Sequence, residues 1–227
     1  GRQHVKLVPT SEGLGRLRAG SIRDIDWSMV KALASVILAA GFSSRMGSPK
    51  ALLELRGRSF LRTIIERHKL SSLPVCVVLG QHNLHVAERV DLSNTTVLVN
   101  PDPSRGALSS LIIALDYLGE SEGLLIHPVD HPLVLADTIK CLVQHHRRLP
   151  ASILLPSVHG RKGHPVLFPQ RFFFDLRRAP LDQGARWVVH QNLASTFLVP
   201  VEDSGILVNV NTPAQASWLD RRGLNVS

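Results

Sequence analysis

Short apolar runs alternate along the chain with segments in which apolar residues recur every three or four positions. Runs rich in Val, Ile and Leu predict buried β-strands, and the three-to-four spacing predicts amphipathic helices. The predicted strands are residues 34–39, 75–79, 96–99, 124–127, 153–156, 166–168 and 195–201. The predicted helices are residues 60–70, 82–90, 108–118, 137–146 and 214–220. Strands that alternate with helices at this spacing predict parallel βαβ units in a sheet covered on both faces.

Length and composition are those of a globular chain. Hydrophobic residues make up 44% of the 227 residues and charged residues 19%, and no uninterrupted apolar run is long enough to span a membrane. Residues 1–30 are largely polar and basic, and they lack the apolar core of a secretory signal. We therefore expect residues 1–30 to be an N-terminal extension, disordered or added to the natural chain. Residues 31–227 are expected to form one domain with no membrane partner.

The charge favours anionic partners, because the net charge is +8 and the isoelectric point is about 10.3. Aromatic residues make up only 5% of the chain and no basic run alternates with them, which argues against nucleic acid as a partner. A phosphate-bearing small molecule is the simpler expectation. Cys76 lies in an apolar run and Cys141 in a helical pattern, and both predict buried, reduced thiols in a cytoplasmic protein.

The loop after the first predicted strand carries the strongest chemical signal. Small residues at 39–41 let the backbone approach a ligand, and their successive N–H groups can form an anion-binding concavity. Arg45 and Lys50 follow and supply positive charge suited to a triphosphate. The loop matches neither a P-loop nor a dinucleotide fingerprint. From these residues alone, a phosphate site and a tight turn with two solvated cations are both open interpretations.

Two further loops follow predicted strands and carry polar residues. Ser109 and Ser110 stand near a predicted helix start, where hydroxyl groups can meet a phosphate or cap the helix. Asp130 follows the fourth strand and is a reasonable ligand for Mg²⁺, which prefers one or two carboxylates plus phosphate oxygens and water. His127 and His131 flank it, but no third ligand at a recognisable spacing supports a zinc site.

The distal half contains a glycine-flanked turn at residues 160–163, followed by His164. The two glycines permit a tight turn, and Arg161 or Lys162 could meet an anionic acceptor. His164 is expected either to hydrogen-bond that acceptor or to hold the turn.

Several of these stretches together resemble one family. The run Leu38-Ala39-Ala40-Gly41-x-Ser-x-Arg45-Met46-Gly47-x-x-Lys50 resembles the signature of nucleotidyltransferases of the sugar-phosphate and molybdopterin type. Residues 100–110, the Asp-x-Pro element at 130–132, residues 160–168 and residues 182–186 resemble further segments of the molybdopterin cytidylyltransferases. The resemblance implies a three-layer α/β/α sandwich with a mostly parallel, Rossmann-like sheet of the nucleotide-diphospho-sugar transferase type.

The resemblance also implies a reaction and roles for residues. It implies transfer of CMP from CTP to a molybdopterin-like phosphorylated acceptor, with Mg²⁺ as the cofactor and pyrophosphate released. Lys50 and Arg45 would neutralise the phosphates, Asp130 would bind the metal, and Gly163 and His164 would contact the acceptor. The implied nucleotide-binding residues are Leu38, Ala39, Ala40, Gly41, Ser109 and Ser110.

One late stretch departs from the cytidylyltransferase pattern. Asn209 and Asn211 stand where that group commonly has two aspartates, and the Asn-x-Asn-Thr-Pro stretch resembles the guanylyltransferases instead. Asn211 is a candidate second metal ligand, although a neutral amide oxygen binds Mg²⁺ more weakly than a carboxylate. The departure keeps open guanylyl transfer from GTP. It also keeps open a non-catalytic protein that delivers the cofactor to a client molybdoenzyme.

Overall fold

The computed structural model describes residues 7–8, 32–41 and 48–221. Arg45, which was expected to contact phosphate, lies outside these residues, as does most of the predicted extension at 1–30. Within that extension the structure describes a short strand, Leu7–Val8, which pairs with the main sheet. The predicted boundary at residue 30 stays a prediction.

The described residues form eleven strands and seven α-helices, numbered here in chain order. The strands are β1 Leu7–Val8, β2 Ala34–Ala39, β3 Glu54–Leu55, β4 Arg58–Ser59, β5 Val75–Gly80, β6 Thr95–Asn100, β7 Gly123–Pro128, β8 Ile153–Val158, β9 Arg161–Lys162, β10 Val166–Pro169 and β11 Thr196–Pro200. The helices are α1 Phe60–Lys69, α2 Val86–Arg89, α3 Ala107–Tyr117, α4 Ala136–Arg148, α5 Phe173–Arg178, α6 Ala185–Gln191 and α7 Pro213–Arg221.

One sheet organises the fold. Its strand order among the described residues is β1-β6-β5-β2-β7-β10-β8-β11, with β9 paired to β8. All pairs are parallel except those of β10 with β7 and β8 and of β9 with β8. Strands β3 and β4 form a separate hairpin. The mostly parallel sheet confirms the predicted α/β class.

Two helical layers cover the sheet, because alternate strand residues point to opposite faces. Val36 of β2 packs in a cluster with α3, α5 and α6. Its neighbour Ile37 packs in a cluster with α1, α2 and α7. A third cluster joins α4 to Leu125, Leu154 and Leu167. The three-layer sandwich is therefore confirmed, and no helix in the described part of the chain is both long and apolar enough to cross a membrane.

The long helix predicted at 82–90 is wrong. A 3-10 turn, Gln81–Asn83, is followed by the single-turn helix α2. The buried Asn83 side chain accepts a hydrogen bond from the Gly80 backbone N–H at 2.7 Å and donates to the Ala39 carbonyl at 3.0 Å. This side chain ties the chain to the end of β2, and such local bonds compete with helix formation.

Candidate active site

A cavity opens at the carboxyl end of β2. Within the sheet, β5 and β6 lie on one side of β2, whereas β7 and the later strands lie on its other side. Ligands of open α/β sheets bind at such a switch point. The cavity has a volume of about 300 Å³, and its lining residues are Leu38, Ala39, Ala40, Gly41, Lys50, Pro103, Gly106, Ala107, Ser110, Pro128, Val129 and Asp130.

Most of the expected nucleotide, phosphate and metal residues line this cavity together, namely Leu38, Ala39, Ala40, Gly41, Lys50, Ser110 and Asp130. Ser109 is placed differently. Its hydroxyl donates to the Gly106 carbonyl at 2.7 Å and accepts from the Asn100 side chain at 2.9 Å, and it does not line the cavity. These bonds tie Ser109 to the start of α3 and to the end of β6, although no side chain caps the N-terminus of α3.

Lys50 connects two acidic or polar groups that are far apart in sequence. Its Nζ donates to Asp130 Oδ2 at 3.2 Å and to Asn211 Oδ1 at 2.5 Å. The backbone N–H of Val210 donates to the Asp130 carbonyl at 2.8 Å, which holds the Asn211 segment against the loop after β7. The Lys50 and Asp130 side chains are 24% and 20% exposed, so they lie at the cavity mouth within reach of a ligand.

The same two oxygens fit a divalent cation. The Lys50 ammonium lies within hydrogen-bond distance of a carboxylate oxygen and an amide oxygen, so the two oxygens already face one positive charge. The described residues contain no group of three or more His, Cys, Asp or Glu side chains that could hold a metal by themselves. Mg²⁺ does not need such a cage, because substrate phosphates and water complete its octahedral shell. Asp130 and Asn211 are therefore the residues that would hold Mg²⁺.

The N-terminus of α3 forms the opposite wall. Gly106 has a φ of +86° and caps the helix, and Gly106, Ala107 and Ser110 face the cavity. The unpaired N–H groups and the dipole of such a terminus favour phosphate. Asn100, at the end of β6, is 2% exposed, and its Nδ2 donates to the hydroxyls of both Ser109 and Ser110 at 2.9 Å. Asn100 was not among the expected site residues. Its position as a polar residue at the end of a buried strand is the sequence signal that could have identified it.

Beneath the loop after β7 lies a fully buried chain of polar side chains. His127 Nε2 donates to the His131 carbonyl at 2.9 Å, and His127 Nδ1 lies 2.8 Å from His68 Nε2. His68 Nδ1 lies 2.6 Å from the Ser35 hydroxyl. Both ring nitrogens of His127 are thus occupied within the protein, which agrees with setting the zinc interpretation aside. Burial lowers the pKa of His68 to about 3, and burial lowers the pKa of His127 well below its ordinary value.

These neutral histidines predict acid lability. The unfolded chain takes up a proton on His68 below its ordinary pKa of 6.5, whereas the folded chain resists protonation down to about pH 3. Stability is therefore fully present above pH 6.5 and is lost progressively as the pH falls toward 3. At pH 5.5, His68 alone should lower the free energy of unfolding by about 1.4 kcal/mol. Urea unfolding of the wild type at pH 7.5 and 5.5 measures the loss.

His68→Leu should reduce that loss by about 1.4 kcal/mol. The matched control is His85→Gln at an exposed position, which should leave the loss unchanged. Equal pH dependence in the wild type and His68→Leu would show that His68 is not a source of the lability.

A second cavity, of about 270 Å³, lies beside the first. Its lining residues are Ile126, Leu155, Lys162, Gly163, His164, Val166, Phe168, Ala185, Arg186, Val189 and His190. Both expected acceptor residues, Gly163 and His164, line it. A side chain at Gly163 would place its Cβ 2.3 Å from the Ile206 carbonyl oxygen, so this close approach requires glycine. The walls are largely apolar, whereas the exposed Lys162 and Arg186 supply positive charge at the rim.

Two histidines bridge the cavities. The rings of His131 and His164 are 4.6 Å apart, and His131 Nε2 lies 3.8 Å from Asp130 Oδ1. Burial lowers the pKa of His164 to about 4, and burial also lowers the pKa of His131. Within the described structure, the buried Nδ1 atoms of both rings have no hydrogen-bond partner. Burial therefore keeps both imidazoles neutral, and the His164 ring is the one that lines the second cavity.

Residues 35–196, more than half of the chain, match the MobA-like NTP transferase domain. The chain belongs to this family. The family predicted from the sequence motifs is thus confirmed.

Relatives match more than four fifths of the chain. A molybdenum cofactor guanylyltransferase of Rhodopseudomonas palustris is 30% identical over 207 residues, which are 86% of this chain and 96% of the relative. A molybdenum cofactor cytidylyltransferase of Escherichia coli is 26% identical over 185 residues, which are 81% of this chain and 93% of the relative.

Solved structures share the fold over the same extent. The crystal structure of Rv0371c from Mycobacterium tuberculosis superimposes with a TM-score of 0.74 at 26% identity, and the match covers 85% of this chain and 99% of that chain. A manganese complex of Rv0371c gives a TM-score of 0.68 at 25% identity, and the match covers 88% of this chain and all of that chain. The predicted nucleotide-diphospho-sugar transferase type of fold is thereby confirmed.

Proposed function

We propose that this chain is a Mg²⁺-dependent nucleotidyltransferase that joins CMP from CTP to molybdopterin and releases pyrophosphate. The observation that carries the proposal is the convergence of Lys50, Asp130 and Asn211 at the mouth of a cavity that also receives the N-terminus of α3. This arrangement combines a cation, two metal-ligand oxygens and a phosphate-binding helix end. Family membership supports the nucleotidyltransferase class.

The first cavity would take the nucleoside triphosphate. The backbone of residues 38–41 would contact the nucleoside, and the N-terminus of α3 together with Lys50 would meet the phosphates. Asp130 and Asn211 would hold Mg²⁺, which neutralises triphosphate oxygens when it is bound. The manganese complex of a similar structure supports a divalent cation in this family.

The second cavity would take the acceptor. Molybdopterin combines a flat pterin ring with a terminal phosphate, which suits apolar walls with Lys162 and Arg186 at the rim. The neutral ring of His164 would hydrogen-bond the pterin. An oxygen of the acceptor phosphate would attack the α-phosphorus, the bond from that phosphorus to the β-phosphate bridging oxygen would break, and pyrophosphate would leave. Such transfer depends mainly on positioning and charge neutralisation.

The nucleotide has two candidates. The Ala39-Ala40-Gly41 sequence supports CTP, because it resembles the pyrimidine-nucleotide members of the superfamily. The guanylyltransferase relative and the Asn209-x-Asn211 stretch support GTP as the alternative.

Pyrophosphate release tests the proposal directly. The purified chain is incubated with molybdopterin, Mg²⁺ and either CTP or GTP, and the dinucleotide product is identified by mass spectrometry; omission of molybdopterin is the control. We expect acceptor-dependent release with CTP. Release with GTP alone would reassign the nucleotide. No release with any nucleoside triphosphate would contradict the enzyme proposal and favour the non-catalytic delivery of cofactor to a molybdoenzyme.

A further inference from the structure

The loop that carries Asp130 is held from within the core by side chains rather than by regular secondary structure. Residues 131–134 are buried and connect β7 to the start of α4. Arg67 Nη1 donates to the carbonyls of Pro132 at 2.5 Å and Val134 at 2.8 Å. His127 donates to the carbonyl of His131 at 2.9 Å. Three carbonyls immediately after Asp130 therefore depend on two side chains, since buried carbonyls require partners.

The hydrogen bonds of the histidine chain run in one direction. The His131 carbonyl only accepts, so Nε2 of His127 must carry the proton. In a neutral ring, Nδ1 of His127 then accepts from Nε2 of His68. The remaining Nδ1 of His68 accepts from the Ser35 hydroxyl. Each ring nitrogen takes part in one hydrogen bond, so the orientations of both rings are fixed. The last bond, from His127 to the His131 carbonyl, reaches the loop.

Burying His68 costs desolvation free energy that a residue serving only to fill space would not need to pay. Helix α1 buries Phe60, Leu61, Ile64 and Ile65, and His68 continues this stripe at 0% exposure. An aliphatic residue would fill such a position without the cost of desolvating a polar ring. The adjacent Arg67 turns toward the same loop from the same helix. Two consecutive residues of α1 therefore hold the loop at 131–134. Arg67 bonds to it directly, and His68 acts through His127.

The loop held by Arg67 and His127 follows directly on Asp130, the candidate metal ligand. Asp130 precedes His131 directly, and its own carbonyl is fixed by the Val210 N–H at 2.8 Å. The loop is thus anchored on both sides of the Asp130 carboxylate. A metal site tolerates only about 0.5 Å of misplacement in its ligands, so such anchors matter for affinity. Groups that orient a ligand typically change metal affinity or activity by about 10–100-fold when removed.

We propose that Arg67 and the His68–His127 pair are positioning residues that hold the Asp130 carboxylate in its metal-binding geometry. This inference rests on the proposed function, in which Asp130 binds the divalent cation. The three side chains do not touch substrate or metal. They act through the backbone carbonyls of residues 131–134.

Mn²⁺ affinity in the presence of CTP, measured by electron paramagnetic resonance titration, tests the inference without relying on turnover. His127→Phe keeps an aromatic ring but removes the donor, and we expect it to weaken Mn²⁺ binding by about tenfold. His127→Gln retains an amide donor for the His131 carbonyl and should restore most of the affinity. Arg67→Met should weaken Mn²⁺ binding by a similar factor, while CTP binding without metal stays unchanged in all three variants.

Matched substitutions separate positioning from general stability. Arg177→Met removes a comparable bond, from Arg177 Nη2 to the Leu115 carbonyl at 2.8 Å, on the opposite face of the sheet. His146→Phe replaces a buried histidine of α4. Neither should change Mn²⁺ affinity, although both should lower the unfolding temperature. If His127→Phe does not fold, the half-buried Arg67 provides the decisive variant.

Two results would overturn the inference. One leaves the metal role of Asp130 intact, and the other overturns that role as well. Wild-type affinity that falls in Asp130→Asn but is unchanged in His127→Phe and Arg67→Met would overturn the positioning role alone. The absence of Mn²⁺ binding in the wild type, or binding unaffected by Asp130→Asn, would overturn it together with the metal role of Asp130.

Discussion

Asp130→Asn is expected to lower kcat by roughly 10³-fold at saturating nucleotide and acceptor, which is at the upper end for loss of one electrostatic group. The substitution preserves the size of the side chain and an oxygen that can accept from Lys50, but it removes the negative charge that Mg²⁺ prefers. Because Asn211 is also neutral, the site would then have no carboxylate among its two candidate ligands. Single-turnover assays of nucleotidyl transfer measure the rate, and Mn²⁺ titration measures the accompanying loss of affinity.

Asp116→Asn is the control for this prediction. Asp116 is an exposed residue of α3 that pairs with Arg177, away from both cavities. Its substitution should change neither turnover nor Mn²⁺ affinity. Near-normal kcat in Asp130→Asn would assign the metal to other groups and remove the observation on which the proposed mechanism depends.

The alternation of apolar runs was enough to predict most of the fold. The strand at 34–39 matches β2, because a short and almost entirely buried apolar run has no competing helical spacing. The direction of β10 could not be predicted in the same way. Val166, Leu167 and Phe168 are all buried, and a continuous apolar run is typical of a parallel strand, so it gives no sign of the antiparallel neighbours of β10.

The part of the site formed by charged residues that follow strand ends could be predicted from the sequence. Lys50 and Asp130 follow neighbouring strands, so their meeting at one edge follows from the parallel sheet. The contact between Lys50 and Asn211 joins residues 161 positions apart and depends on the backbone bond between Val210 and Asp130, which no local pattern indicates.

The histidine chain was hidden by the pattern itself. His68 falls on the apolar stripe of α1, where its spacing makes it resemble a core position. Its partner His127, 59 residues away, appeared beside Asp130 as a metal-ligand candidate. Only their side-chain geometry shows that the two rings bond to each other and to the loop, since hydrogen bonding between distant residues leaves no periodic signal.

Lys50→Ala is expected to lower kcat by roughly 10²–10³-fold, because a fixed cation near the developing charge of the phosphates would be lost. Mn²⁺ affinity should not fall with the rate. The Lys50 ammonium now holds the same Asp130 and Asn211 oxygens that would bind Mg²⁺, so its removal should leave Mn²⁺ affinity unchanged or increase it. Single-turnover rates and Mn²⁺ titrations on the same preparation measure both quantities.

This difference distinguishes Lys50 from Asp130, for which both quantities should fall together. Lys50→Arg should retain part of the rate, since the charge persists with different geometry. Lys140→Met, at an exposed pair with Asp137 on α4, is the control and should alter neither quantity. A Lys50→Ala variant that loses rate and Mn²⁺ affinity in parallel would mean that Lys50 supports the metal site instead of neutralising the phosphates. Near-normal turnover would mean that the phosphates are neutralised by other groups.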